Sequence, residues 1–150
     1  MPDINAVWEE KLSIGTAYSN STWTYAALCA GIQGMPWSGN EQIQQYFFMC
    51  GDGYAHNEVT GMAPEIQVTG RRVVGDTAQD YIMGAQFTIG KDRKSSVKYI
   101  AGGKQYVCDC TICDVVVFGG NATDGAPFSC NIRLNGKPTV TDAPSSGTST

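Results

Sequence analysis

Residues 61–81 read GMAPEIQVTGRRVVGDTAQDY, and they divide into an extended half and a helical half. From Ala63 to Val74 the run is rich in β-branched residues and long enough for a strand; Gly70 interrupts it, and a bulge is expected there. Asp76 then offers an acceptor to the first free N–H groups of a helix, with Gln79 at the third helical position in a capping-box arrangement. Ala78, Tyr81, Ile82 and Ala85 recur at helical spacing on one face, and Gly84 stands at the far end. One short α-helix near residues 76–84 is therefore predicted. Arg71 and Arg72 lie just before it, placed to meet Asp80 on its surface.

Outward from this stretch the chain reads as strands and turns. In Phe128, Cys130, Ile132 and Leu134 the side chains share one face, with Ser129, Asn131, Arg133 and Asn135 on the other. Tyr106, Cys108, Cys110 and Ile112 alternate in the same way with Val107, Asp109, Thr111 and Cys113. The alternation fails at Asp114, which predicts a bulge or a bend. Ser95–Ile100 and Lys104–Val117 form a hairpin over Ala101-Gly102-Gly103. Ser21–Leu28 and Gln86–Ile89 are further predicted strands, and Glu41–Cys50 reads as a strand with a helix as the alternative, since its alternation is imperfect. Gly31–Asn40, Gly51–Gly61 and Gly119–Ala126 read as loops, and residues 1–11 as an extended arm or short strand anchored by Trp8. The expected fold is mainly β, either a sandwich of two packed sheets or a partly closed barrel, in one domain over residues 1–141. Residues 142–150, DAPSSGTST, are expected to be a flexible tail.

Composition narrows the function classes. Of 150 residues, 42% are hydrophobic and only 16% charged, against about 25% in an ordinary globular domain. Part of the surface is therefore expected to be covered. The net charge of −4 gives no support to nucleic-acid binding by bulk electrostatics. No apolar run is long enough to span a bilayer, so no membrane insertion is expected. Without a visible secretory signal the six cysteines are expected to be reduced.

Four constellations hint at chemistry. Cys108, Cys110 and Cys113, with Cys130 as a fourth, have spacing that can hold zinc or an iron–sulfur cluster. The strand period argues against it, because it turns Cys113 away from Cys108 and Cys110, and no cofactor is expected. His56 is the only histidine and lies in a glycine-rich segment with no nucleophile motif nearby, so no enzyme is expected. Asp76 and Asp80 are better explained as a cap and a surface acid than as a catalytic pair. Finally, Lys91, Arg93, Lys94, Lys98 and Lys104 put half of the ten basic residues into a short span. Such a patch reads by default as a solvated hairpin face; the rival reading is contact with acids on another copy of the chain, and contacts between unlike surfaces propagate into filaments.

Three segments also carry a family likeness. Gly61-Met62-Ala63-Pro64-Glu65, Gly70-Arg71-Arg72-Val73-Val74-Gly75-Asp76 and Gln79-Asp80-Tyr81-Ile82 resemble the mid-region of major tail tube proteins from long-tailed, siphovirus-type bacteriophages. The basic turn Gly90–Lys94 and the closing stretch Phe128–Thr141, with Leu134-Asn135-Gly136-Lys137-Pro138, resemble the basic turn and the last strand of that family. The likeness covers about residues 61–141, and the cysteine-rich strand departs from it. The resemblance implies a virion tail protein assembled in the bacterial host cytoplasm. It implies six copies closing a ring, rings stacking into a tube alongside other tail proteins, and double-stranded DNA passing through the lumen. Trp8, Arg71, Arg72, Asp76, Asp80, Lys91, Arg93, Lys94 and Lys98 are the candidate subunit-interface residues. The alternatives are a monomeric binding sandwich using Trp23, Trp37 and Tyr54, and a small metal protein built on the cysteines.

Overall fold

The structure is a computed structural model, and it describes residue 4 and residues 6–143. Its strands are β1 (Lys11–Ser19), β2 (Thr22–Ala27), β3 (Ile32–Gly34), β4 (Trp37–Ser38), β5 (Gln42–Phe47), β6 (Ala55–Gly61) and β7 (Glu65–Arg71). The helix α1 (Thr77–Gly84) comes next, then β8 (Lys94–Ala101), β9 (Lys104–Val116), β10 (Pro127–Leu134) and β11 (Thr139–Asp142). Nine strands make one curled, half-barrel sheet in the order β2-β1-β8-β9-β10-β7-β3, with β11 added to β9 and β4 to β7. The mainly β class with a single short helix is as predicted, in the partly closed form.

The curl brings the apolar side chains of distant strands together. On the concave face Ile14 pairs with Val97 and Val97 with Cys108, while Ile112 pairs with Ile132 and Ile132 with Ile66. All of these are buried, with Leu12, Val68, Cys110, Phe128 and Cys130 filling the space between them. Ala78 and Ile82 of α1 join the same cluster, so the helix covers part of the concave face. A sheet half-buried on one side gives the period-2 pattern, and β9 and β10 show it as predicted. The bulge at Asp114 is also present: the β9–β10 register shifts there, and Asp114 takes a φ of 52°, held by Asn131 Nδ2 at 2.9 Å.

Four local expectations need correction. Gly70 is not bulged against β10, whose register with β7 runs unbroken; the extra residue lies opposite, in β3, between Ile32 and Gly34. The glycine is needed for close approach, since a Cβ there would lie 2.2 Å from the Gly31 carbonyl oxygen. Residues 31–40 are not all loop, because β3 and β4 add to β7. The segment 51–61 is half strand, and β6 pairs with β5 as a separate two-stranded sheet. Gln86–Ile89 is not a strand, because Arg93 holds its carbonyls in a turn. In addition, β1 occupies a stretch that no sequence pattern had marked as a strand. Asp142 ends β11 and pairs with Lys104 at 2.6 Å, while residues 144–150 of the expected tail lie outside the described residues.

Candidate assembly surface

The β5–β6 hairpin is the element with the least reason to be stable alone. Every residue of β5 is exposed, and so is every residue of β6 except Gly61. An isolated two-stranded hairpin is marginal in water. This one presents Ile43, Tyr46, Phe47, Phe48, Met49, Tyr54 and Val59 to solvent, with Phe47 68% and Tyr54 80% exposed. Apolar side chains grouped in this way mark an interaction surface. Tyr46 and Phe48 stack at 5.9 Å, and His56 lies 5.7 Å from Phe48 and 2.5 Å from Glu58. The tip turns through Met49–Gly51, Asp52 in the left-handed region and Gly53. Asp52-Gly53 is the turn signal that could have marked this hairpin, although residues 51–61 read as a loop in the sequence.

The base of the hairpin is held firmly. Asn40 donates to the Ala63 carbonyl at 3.0 Å and to Glu65 Oε1 at 3.1 Å, and accepts from Ser38 Oγ at 2.9 Å. Residues 12–70 contain no lysine or arginine, and their acids are Glu41, Asp52, Glu58 and Glu65. The hairpin is therefore both apolar and acidic.

The sequence-derived interface residues separate into two groups. Several do internal work. Asp76 caps α1, its Oδ2 accepting from Gln79 N at 3.2 Å, as predicted. The return bond of a capping box is absent, because the Gln79 side chain faces the other way. Fully buried, its Oε1 accepts from Val73 N at 2.7 Å and Arg72 Nη1 at 3.2 Å, and its Nε2 donates to the carbonyls of Ala30 and Arg71 at 2.8 and 3.0 Å. Arg72 also meets Asp80 at 2.6 Å, the partnership expected, with the guanidinium well buried and the carboxylate half-exposed. Arg71 donates to the Gly125 carbonyl at 3.2 Å. Lys98 lies 4.5 Å over the Tyr25 ring.

Arg93 is a clamp. Its guanidinium donates to the carbonyls of Thr88 at 3.0 Å, Gln86 at 2.7 Å and Ile112 at 3.2 Å. With these bonds and the Thr88 hydroxyl on the Ala85 carbonyl at 2.8 Å, residues 85–89 close into a turn after α1 and cannot extend as a strand. Phe87 and Ile89 are consequently turned outward, 84% and 91% exposed. Replacing Arg93 by Glu is expected to cost about 2–3 kcal/mol, read as a lower denaturant midpoint, because three carbonyls lose a charged donor. Only Trp8, Lys91 and Lys94 of the original set are exposed side chains for which no intrachain partner is seen among the described residues.

The cysteines of β9 and β10 are neighbours but fall on two faces of the sheet. Cys108, Cys110 and Cys130 lie in the core, and Cys113 sits on the other face of β9, as its period predicts. Among the described residues no group of three His, Cys, Asp or Glu side chains is placed to share one metal ion. Burial, reinforced by Cys113, pushes the Cys130 thiol up to about 12, and burial with the nearby Cys108 raises Cys110 as well. At pH 8 a thiol reagent is expected to titrate the exposed Cys29 and Cys50 quickly, and Cys110 and Cys130 only after unfolding. Because the raised values belong to the folded state, stability is expected to be full below pH 9. It should fall as unfolded thiols ionise toward pH 12.

The aromatics of the binding-module alternative also lie apart. Trp37 lines an apolar cavity of about 400 Å³ with Ile66, Tyr99 and Leu134, Trp23 packs with Tyr18 at 5.1 Å, and Tyr54 is on the hairpin.

Comparison with known proteins is informative at the level of structure. No protein-family model matches the sequence, and no curated protein matches it. A chain in the tail of an empty GTA particle, refined with C6 symmetry, superposes with a TM-score of 0.64 at 13% identity, covering 89% of this chain and 96% of its own. The curled sheet with its helix is a fold that tail and tube assemblies use. A chain in the cap terminating the tube of the anti-feeding prophage gives 0.57 at 10% identity, with 95% and 94% covered. One in the extended sheath–tube complex of an extracellular contractile injection system gives 0.54 at 10% identity, with 92% and 91% covered. At these identities the likeness establishes the fold. Among the described residues no helix is long and apolar enough to cross a membrane.

Proposed function

We propose that this chain is a structural subunit of a phage tail tube. Six copies close a ring, rings stack into a tube with the other tail proteins, and double-stranded DNA passes through the lumen to the host. The subunit would reside in the virion tail after assembly in the bacterial host cytoplasm, and it needs no cofactor. The observation that carries this reading is the exposed, aromatic β5–β6 hairpin standing off a fold that tail and tube assemblies share. A monomer gains nothing from leaving such a surface in water, whereas a stacked neighbour removes it from solvent. The sequence resemblance over residues 61–141 and the C6 symmetry of the matched GTA tail favour rings of six.

Low charge also fits the lumen role, since each cationic contact to phosphate would add salt-dependent affinity and slow passage. Electron microscopy tests the proposal, using particles that contain the chain and the purified chain at high concentration. Six-fold rings or tubes are expected. A monomer at every concentration, together with tails in which the chain is not the tube subunit, would overturn it.

A further inference from the structure

Charge is segregated along this chain in a way the fold makes spatial. The β5–β6 hairpin bears Glu41, Asp52 and Glu58 with no lysine or arginine, and Glu58 is shared with His56. The turn after α1 bears Phe87, Ile89, Lys91 and Lys94, with Asp92 between the two lysines. Both segments are apolar and exposed, and their charges are opposite. Within one molecule they do not meet, since Phe47, Phe87 and Ile89 all remain mostly in solvent. A hairpin arm of six residues reaches about 20 Å. That exceeds the radius of gyration of about 15 Å expected for a domain this size, so its tip can seat on another body.

We propose that the β5–β6 hairpin of one copy docks on the Phe87–Lys94 segment of a second copy. Phe47, Phe48 and Met49 then pack on Phe87 and Ile89, while Asp52 and Glu58 face Lys91 and Lys94. This rests on the tube reading and names which surface of a neighbour receives the hairpin. The contact is heterologous, so it repeats from copy to copy rather than closing a pair. It also gives the turn clamped by Arg93 a purpose, because the clamp fixes two apolar side chains outward.

The test is charge exchange in the full chain, with assembly scored by sedimentation and micrographs. Asp52→Lys with Glu58→Lys, and separately Lys91→Glu with Lys94→Glu, should each lower the assembled fraction at least about tenfold, since facing like charges oppose docking. Joining all four substitutions should restore most of it. In parallel, carbodiimide coupling of a mixture of isotope-labelled and unlabelled unmodified chains should join residues 52 or 58 of one copy to residues 91 or 94 of another. Circular dichroism confirms that each variant is folded. Normal assembly of either pair, or no recovery with all four, overturns the docking while leaving a tube intact. Coupled hairpin-to-turn pairs without rings or tubes would support the docking and sink the tube reading. Unmodified chains that neither assemble nor couple overturn the docking, and with tails in which the chain is not the tube subunit they overturn the tube reading as well.

Discussion

A chain carrying Phe47→Ser and Phe48→Ser is expected to fold as the unmodified protein does and to fail to build tubes. Both side chains lie on the exposed hairpin, outside the core that Phe128, Ile132 and Ile14 make, so the half-barrel does not depend on them. Burying a phenylalanine at an interface is worth about 1.5–3 kcal/mol, so losing two costs each contact about 3–6 kcal/mol. Every subunit of a tube repeats that contact, and the deficit multiplies along the assembly. Equal denaturant midpoints for the two proteins, with assembly abolished in the variant, are the expected pair of measurements. Tubes of ordinary length from the variant would remove the hairpin from the assembly surface.

The largest effect on the fold is expected at Gln79. Gln79→Leu keeps the side-chain volume close to the original and leaves the helix register alone. It strands the Val73 N–H, one Arg72 donor and the carbonyls of Ala30 and Arg71, all of which now bond to one buried amide. Unsatisfied buried groups cost about 1–3 kcal/mol each before relaxation, and about 3–4 kcal/mol in total is expected once neighbours adjust. Chemical denaturation checks this directly. By contrast Asp76→Ala removes one cap bond and should cost about 1 kcal/mol. A Gln79→Leu protein as stable as the original would mean that the amide is not what ties α1 to the strands.

The difference between Gln79 and Asp76 also separates what was legible in the sequence from what was not. Asp76 and Gln79 are three residues apart, and a helix start is a matter of that spacing. The alternation in β9 and β10, the bulge at Asp114 and the amphipathic face of α1 are likewise relations between near neighbours, so the sequence alone determined them. It also determined that Cys113 faces away from Cys108 and Cys110, and that Arg71 or Arg72 is within reach of Asp80.

Only the tertiary structure decided the rest. Gln79 bonds to Ala30, forty-nine positions away, and Arg93 to Ile112, nineteen away. No local pattern announces such partners, and they changed the meaning of both residues. Arg93 reads as one more cation in a basic turn, yet its guanidinium is spent on three carbonyls. Because of that, Phe87 and Ile89, whose alternation suggests a strand, become an outward-facing apolar pair. The hairpin failed to read clearly for the opposite reason. With no core behind it, β6 shows no apolar–polar alternation, since that pattern arises only when one face of a strand is buried and the other is wet.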